Sequence, residues 1–268
     1  MNISAYLHRI GYRGRLAPDY ETLEALHVAH ATHIPFENLD ILLGRRISID
    51  LATIEAKLVD ARRGGYCFEQ NTLFAAVLRE LGFRVTELAA RVRNRQGRML
   101  PRTHMCLLVQ FDSSGWLADV GFGGEGLLMP VPMSGETVQQ YLWTYRLSRE
   151  PDGVWVLQSG ANGWNDLYAF TLEPQHDVDF MMANYYVSTY PESPFVRTLT
   201  VQIPRADCRQ ILRNRELVTD TGSVVERKTL LDDDELLETL STRFNLDFPA
   251  GTRFRYVEQA ADNQLTKQ

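Results

Sequence analysis

Apolar residues in the first 85 or so positions recur at three- and four-residue steps, the spacing that an amphipathic helix requires. One run places five apolar side chains on a single helical face: Leu73, Phe74, Val77, Leu78 and Leu81. Gly82 then suits a C-terminal stop. The pattern predicts a helix that begins near Cys67, directly after the flexible pair Gly64 and Gly65.

Two further helices are predicted upstream. Pro18 and Asp19 suit the first turn of one, which ends before Pro35. Asp50 suits the N-cap of the other, which runs to the Gly64 break. The second helix is expected to turn three residues inward: Ile54, Leu58 and Ala61.

From Phe83 to about Pro191 the apolar period shifts toward two, which is typical of half-buried strands. Thr103–Phe111 and Trp116–Phe122 are predicted to form a hairpin across the turn at residues 112–115. Further on, apolar residues alternate with polar ones before a second turn at residues 150–153: Tyr141, Trp143, Tyr145 and Leu147. Short antiparallel strands at this spacing predict a small barrel.

The last third of the chain predicts more strands and a final helix. The strands are expected at residues 196–203, 210–218 and 224–229, and Asp232 suits the cap of the helix. The tail from Gln259 is polar and is expected to fray.

These patterns predict an α+β multidomain protein. The expected parts are a helical domain at residues 1–85, a β-barrel domain at residues 86–191 and an α/β lid domain at residues 192–268. A chain of 268 residues, 44% of them hydrophobic, can bury the cores of two or three domains.

Charge and cysteine content exclude several classes of protein. The net charge is −6 and the arginines are scattered, so a nucleic-acid partner is not expected. Three cysteines form neither a metal-binding spacing nor an even-numbered disulfide framework, which suits a reducing compartment. No run approaches 18 apolar residues, and the N-terminal segment lacks the pattern of a signal peptide. A cytoplasmic protein that does not bind membranes is expected.

Cys67 is the first candidate for chemistry. At a helix N-terminus, unpaired backbone N–H groups and the positive end of the helix dipole favour a thiolate, the nucleophilic form of cysteine. Gly64 and Gly65 would let the preceding backbone approach a ligand closely. The alternative is a buried structural cysteine behind a helix-starting loop.

A cysteine nucleophile needs a base, and the base needs a group that orients it. His104 begins one predicted strand, and Asp119 is the one carboxylate in the apolar run of the next. A buried carboxylate requires a partner, and in a hairpin both side chains can lie on one face. The alternatives are a strand-start histidine and a structural aspartate.

The histidines of the first predicted helix also share faces in pairs: His27 with His30, and His30 with His33. No acidic or cysteine ligand joins them at a matching spacing, so a packed or solvated face is expected and a metal site is not.

Four segments together resemble the arylamine N-acetyltransferase family: PFENLD at residues 35–40, RGGYCFEQN at residues 63–71, the TH at residues 103–104 and ADVGFG at residues 118–123. The resemblance runs from about Tyr6 to the segment at residues 191–195 and is weak beyond it. One departure is Cys106, where an aliphatic residue would be expected.

The resemblance implies a helical domain followed by a barrel, with a catalytic core like that of cysteine proteases. By position it makes Cys67 the nucleophile, His104 the base and Asp119 the residue that orients the base. It also implies a buried pair of Arg9 with Glu37, which we interpret as structural.

The implied activity is that of an acyltransferase of xenobiotic metabolism that moves an acetyl group from acetyl-CoA, as co-substrate, to an arylamine or hydrazine through an acetyl-cysteine. Phe36, Phe122 and Phe195 resemble the phenylalanines that line the family's acceptor pocket. The coenzyme A contacts are expected at Thr103 and at two loop glycines: Gly123 and Gly124. The loop that carries these glycines lacks the lysine of a nucleotide P-loop, and a plain surface loop is its alternative.

Two other functions remain open from the residues. Papain-like and transglutaminase-like proteins, which hydrolyse or form amides, use the same order of cysteine, histidine and aspartate. A non-catalytic binding module is the second alternative. The sequence does not indicate how many subunits assemble.

Overall fold

The structure is a computed structural model that describes residues 1–93, 99–111, 114–160 and 163–257. The predicted turn residues Asp112 and Ser113 and the predicted frayed tail from Gln259 lie outside the described residues. The chain forms an N-terminal group of helices, an eight-stranded antiparallel sheet and a five-stranded antiparallel sheet. The predicted α+β class is confirmed.

The N-terminal elements are α1 (Ile3–Arg9), α2 (Tyr20–His33), β1 (Phe36–Glu37), α3 (Leu39–Leu42), α4 (Leu51–Glu55) and α5 (Cys67–Glu80). Asp50 caps α4 as predicted, and Asp19, which was expected in the first turn, is the N-cap of α2; each side chain accepts a backbone N–H of the first turn. Gly82 follows α5 with φ +89°, a left-handed conformation that suits glycine.

The predicted helix after Asp50 is not regular. α4 passes into a π-helical turn, Ala56–Asp60, which contains one more residue per turn than an α-helix. The later side chains therefore rotate about the axis. Leu58 is buried as predicted, but Ala61 is exposed, so its inward assignment was wrong.

Arg9 and Glu37 do not form the expected pair. Arg9 donates to the backbone carbonyls of Leu58 (2.8 Å) and His33 (2.7 Å), so it serves the negative ends of two helices. Glu37 is paired instead with Arg63, at 2.6 Å between Nη2 and Oε1. Arg63 lies in the loop before Cys67, so the ion pair fixes that loop to β1.

The eight-stranded sheet consists of β2 (Arg84–Val92), β3 (His104–Phe111), β4 (Ser114–Ala118), β5 (Val131–Pro132), β6 (Val138–Gln140), β7 (Trp143–Arg149), β8 (Trp155–Gly160) and β9 (Trp164–Phe170). Its order is β5-β4-β3-β2-β9-β8-β7-β6, and β5 also contacts β7, so the sheet nearly closes into a barrel. The two predicted hairpins are β3–β4 and β7–β8.

Two details of the barrel differ from prediction. β4 ends at Ala118, so Asp119 and Phe122 lie in the loop beyond it rather than in the strand. Tyr141 lies before β7 with φ +54° and is exposed, whereas Trp143, Tyr145 and Leu147 alternate inward as expected.

Two helices follow the barrel where strands were expected: α6 (Asp177–Thr189) and α7 (Pro194–Arg197). The outer face of α6 is apolar, with Met181, Met182 and Tyr185 all exposed. The two-sided polarity that reveals a surface helix is therefore absent from its sequence.

The five-stranded sheet contains β10 (Thr200–Pro204), β11 (Arg209–Arg213), β12 (Glu216–Asp220) and β13 (Val225–Thr229), and its order is β1-β10-β11-β12-β13. The segment predicted as one strand at residues 210–218 is a hairpin that turns at Asn214, where φ is +50°. The final helix is α8 (Asp233–Phe244), capped by Asp232 as predicted.

One hydrophobic core joins the helices to the inner side of β3, and it includes Phe68 and Phe74 of α5 with Met105 and Leu107 of β3. Because α5 packs against β2 and β3, its first residue lies beside the start of β3. The division of the chain at residues 85 and 191 stays a prediction.

Candidate active site

Cys67 is the first residue of α5 and is 3% exposed. Its Sγ lies 3.8 Å from the carbonyl oxygen of Thr103. The Tyr66 N–H just before it is taken by the Glu69 carboxylate at 3.1 Å, which anchors the first turn. As the first residue of α5, Cys67 lies at the positive end of the helix dipole.

The two glycines of the loop before Cys67 lie where a side chain has no room. A Cβ on Gly64 would lie 2.2 Å from the carbonyl oxygen of Pro35, so glycine is required there. Gln70 holds the loop from below, donating to the carbonyls of Pro35 and Gly65 at 3.1 Å each. The nucleophile candidate is thus fixed on both sides.

His104 begins β3, is 3% exposed, and its Nε2 lies 2.7 Å from Oδ2 of Asp119. Burial alone would lower the pKa of His104, but the Asp119 carboxylate and the Cys67 side chain outweigh it and raise that pKa. The imidazole therefore lies between the thiol and the carboxylate, and its protonated form is favoured.

Asp119 lies in the loop just after β4 and is 1% exposed. Its Oδ1 accepts the side-chain amide of Asn71 and the N–H of Gly121, each at 2.9 Å. Burial raises the pKa of a carboxyl, yet His104, Asn71 and Gly121 together lower that of Asp119. A fully bonded, ionised carboxylate is the result.

Two residues that hold this group were not predicted as site residues. Asn71 lies one turn after Cys67, and its Oδ1 also accepts the Val120 N–H at 3.1 Å. His27 of α2 is fully buried and accepts the Asp119 N–H at 3.0 Å. The helical spacing of Asn71 from Cys67 was a usable signal, whereas nothing in the sequence links His27 to Asp119.

Of the predicted phenylalanines, Phe122 lies beside the imidazole. Its ring centroid is 5.1 Å from that of His104, and the tilted ring of Tyr168 contacts both. Phe36 and Phe195 contact each other with centroids 5.9 Å apart.

A cleft of about 1260 Å³ opens between the two sheets. It is lined by the predicted phenylalanines and glycines: Phe36, Phe122, Gly123, Gly124 and Phe195. The Gly124 N–H is engaged by the side chain of Gln202. Thr103 lies apart from these residues, beside α6.

The remaining cysteines and histidines have other surroundings. Cys106 is fully buried, which raises the pKa of its thiol well above the usual value. Cys208 is half-buried. Among the described residues, no group of three or more His, Cys, Asp or Glu side chains could hold a metal ion, and no helix is long and apolar enough to span a membrane.

Comparison with known proteins gives consistent matches over most of the chain. A family model described as N-acetyltransferase matches residues 19–253. The arylamine N-acetyltransferase of Escherichia coli (strain K12) is 40% identical over 255 residues, which cover 91% of this chain and 88% of that protein.

Solved structures agree. The arylamine N-acetyltransferase of M. tuberculosis matches with a TM-score of 0.86 and 39% identity, covering 91% of this chain and 93% of that one. The enzyme of Mycobacterium marinum in complex with CoA matches with a TM-score of 0.86 and 37% identity, covering 91% and 92%.

Proposed function

This chain belongs to the arylamine N-acetyltransferase family, and on that premise we propose that it transfers the acetyl group of acetyl-CoA to arylamines and hydrazines through an acetyl-cysteine on Cys67. The observation that carries the mechanism is the contact of 2.7 Å between His104 and Asp119 beside a cysteine at a helix N-terminus. Acetyl-CoA is the co-substrate.

In the first half-reaction, the Cys67 thiolate attacks the thioester carbonyl carbon of acetyl-CoA. A bond from Cys67 Sγ to that carbon forms, the bond from the carbon to the CoA sulfur breaks, and the CoA sulfur leaves with the proton that His104 carried. Asp119 stabilises the imidazolium and fixes which ring nitrogen faces Cys67.

In the second half-reaction, an amine nitrogen attacks the acetyl carbonyl on Cys67. His104 accepts the proton that the nitrogen loses, and Cys67 leaves as the thiolate. Backbone N–H groups near Cys67 and Thr103 are the candidate donors to the oxyanion of both steps.

The lining of the cleft supports roles for the flanking residues. Phe36, Phe122 and Phe195 offer aromatic faces to an arylamine, and rings over the thioester exclude water. Gly123 and Gly124 leave space for the pantetheine arm of acetyl-CoA. Thr103, whose carbonyl oxygen lies 3.8 Å from Cys67 Sγ, would contact the same arm near its thioester.

One arginine of β11 suits the phosphates of acetyl-CoA. Arg213 lines the cleft and is exposed, and among the described residues it forms no carboxylate ion pair. Arg209 also lines the cleft, but it is 4% exposed, donates to the Tyr145 hydroxyl and stacks on Trp143. Guanidinium groups bind phosphate oxygens in a bidentate manner, which suits Arg213.

The test is intact-protein mass spectrometry after incubation with acetyl-CoA and no amine. One acetyl group should add about 42 mass units, and peptide mapping should find it on Cys67. Cys67→Ala should abolish the gain, whereas Cys208→Ala, a matched change of a half-buried thiol, should preserve it.

The same experiment separates the alternatives. A papain-like or transglutaminase-like enzyme or a binding module would keep its mass in acetyl-CoA. An unchanged mass for the folded wild-type protein would overturn the proposed function.

A further inference from the structure

His27 of α2 is fully buried and does not face the cleft, yet its ring contacts the loop that carries the site. Its Nε2 accepts the backbone N–H of Asp119 at 3.0 Å. Its Nδ1 lies 2.9 Å from the backbone carbonyl oxygen of Leu128. One ring therefore bridges the two ends of the segment from Asp119 to Leu128.

The two partners define the state of the ring. A backbone N–H can only donate, so Nε2 must be unprotonated, and a carbonyl oxygen can only accept, so Nδ1 must carry the proton. Burial lowers the pKa of His27 to about 4, although the Leu128 carbonyl and Asp119 oppose the shift. A protonated ring would set one donor against another at Asp119.

The bridged segment carries the residues on which the proposed chemistry depends. Asp119 is its first residue, and Phe122, Gly123 and Gly124 follow. At its far end, Gln140 accepts the Leu128 N–H at 2.9 Å. Gln202 and Tyr145 hold the middle of the loop, at Gly124 and at the carbonyls of residues 125 and 126, whereas His27 bonds both of its ends.

We infer that His27 is a positioning residue: its neutral ring fixes the backbone at Asp119, so that the carboxylate meets His104, and it closes the base of the loop that lines the acceptor cleft. This inference rests on the proposed function. His27 touches neither Cys67 nor His104 in the contacts of the described residues, so it acts through Asp119.

Three variants separate its two hydrogen bonds. In His27→Gln, the amide oxygen falls near the position of Nε2 and can accept the Asp119 N–H. In His27→Asn, the amide lies near the position of Nδ1 and can donate to Leu128 but does not reach Asp119. His27→Phe retains the ring and its edge contact with Phe74 but has neither donor nor acceptor.

We expect the rate of Cys67 acetylation by acetyl-CoA to stay within about threefold of wild type in His27→Gln and to fall at least tenfold in His27→Asn and His27→Phe. The matched control is Leu23→Ala. Leu23 lies one turn earlier on α2 and is equally buried, but its side chain has no polar atom and holds no part of the Asp119 segment.

A spectroscopic signal distinguishes positioning from a loss of stability. The His104 Nε2 proton that bonds Asp119 should give a strongly downfield NMR resonance, assigned by its loss in His104→Gln. We expect that resonance to shift or broaden in His27→Asn and His27→Phe and to persist in His27→Gln and Leu23→Ala.

Two results would overturn the inference: equal acetylation rates for the Gln and Asn variants, or an unchanged His104 resonance in a folded His27→Phe protein. If His27→Phe does not fold, the Gln and Asn pair decides. The NMR measurement needs no acetyl transfer, so a wild-type protein that acetyl-CoA does not label would refute the proposed function and leave this test intact.

Discussion

Replacing Asp119 with Asn tests the role of the carboxylate with almost no change of shape. In the wild-type protein, Oδ1 of Asp119 receives two donors, the Asn71 amide and the Gly121 N–H, and Oδ2 faces His104. The substitution removes the negative charge and converts one of these oxygens to an NH2 group.

The surrounding donors decide which way the new amide turns. Its oxygen must stay toward Asn71 and Gly121, because an NH2 group there would oppose two N–H donors. The NH2 group then faces His104, whose Nε2 must become the acceptor. The imidazole proton moves to Nδ1, the nitrogen left to face Cys67, so the ring can no longer take a proton from the thiol.

The expected loss of rate is large and the loss of stability is modest. The corresponding Asp-to-Asn change in a serine triad lowers kcat by about 10⁴, which is about 5.4 kcal/mol of barrier. Losing a charge-assisted hydrogen bond costs about 1.5–3 kcal/mol of unfolding free energy. The variant should therefore fold and yet acetylate slowly.

The assay is quenched-flow mixing with acetyl-CoA, with the acetylated fraction measured by intact mass. Thermal melting establishes that the Asp119→Asn protein is folded. Asp152→Asn, in the exposed turn between β7 and β8, is the matched control and should keep the wild-type rate. A folded Asp119→Asn protein acetylated within tenfold of the wild-type rate would refute the assignment.

Three further predictions follow from the same geometry. Iodoacetamide at neutral pH should label Cys67 long before Cys106 and Cys208, since burial raises the pKa of both other thiols, and peptide mapping that finds Cys106 first would contradict this. Phe122→Ala should raise KM for aromatic amines about tenfold, because a stacking contact of about 1.4 kcal/mol is lost, and should shorten the lifetime of the acetyl-enzyme in the absence of amine. Stopped-flow kinetics that show neither change would mean that Phe122 has only a structural role. Burial lowers the pKa of His30 to about 3. Below pH 6.5 the unfolded chain therefore binds a proton at His30 that the folded protein does not, and the free energy of unfolding decreases as the pH is lowered. Between pH 7 and pH 5, His30 should account for about 2 kcal/mol of the decrease in unfolding free energy, measured by urea unfolding. The decrease should be smaller by that amount in His30→Phe, and an equal decrease in both proteins would contradict the prediction.

Local sequence signals were sufficient to place Cys67 at the start of a helix. The apolar face after Cys67 and the stop at Gly82 were enough to define α5, because caps and periodicity act over a few residues. The turn before β8 was found for the same reason. At Asn214 a usable signal was overlooked, since asparagine readily adopts the positive φ that reverses the chain there.

Interactions between distant residues could not be predicted in the same way. Which arginine pairs with Glu37 depends on which segment packs against β1, and the loop that carries Arg63 lies there rather than Arg9. The exposed face of α6 is apolar, so the sequence of this surface helix lacks the alternation of polar and apolar faces from which a helix is predicted. The sequence predicts only a packed or solvated histidine at position 27, because its contact with Asp119 depends on how α2 packs in the folded protein.

The central claim is that the acetyl group resides on Cys67 between two separate half-reactions. The most direct test is to form the acetyl-enzyme, remove all CoA by gel filtration, and add an arylamine alone. We predict that N-acetylarylamine forms in an amount equal to the acetyl-enzyme lost, as mass spectrometry and chromatography would measure. If the acetyl-enzyme persists and the amine is acetylated only when acetyl-CoA is also present, transfer through Cys67 is contradicted.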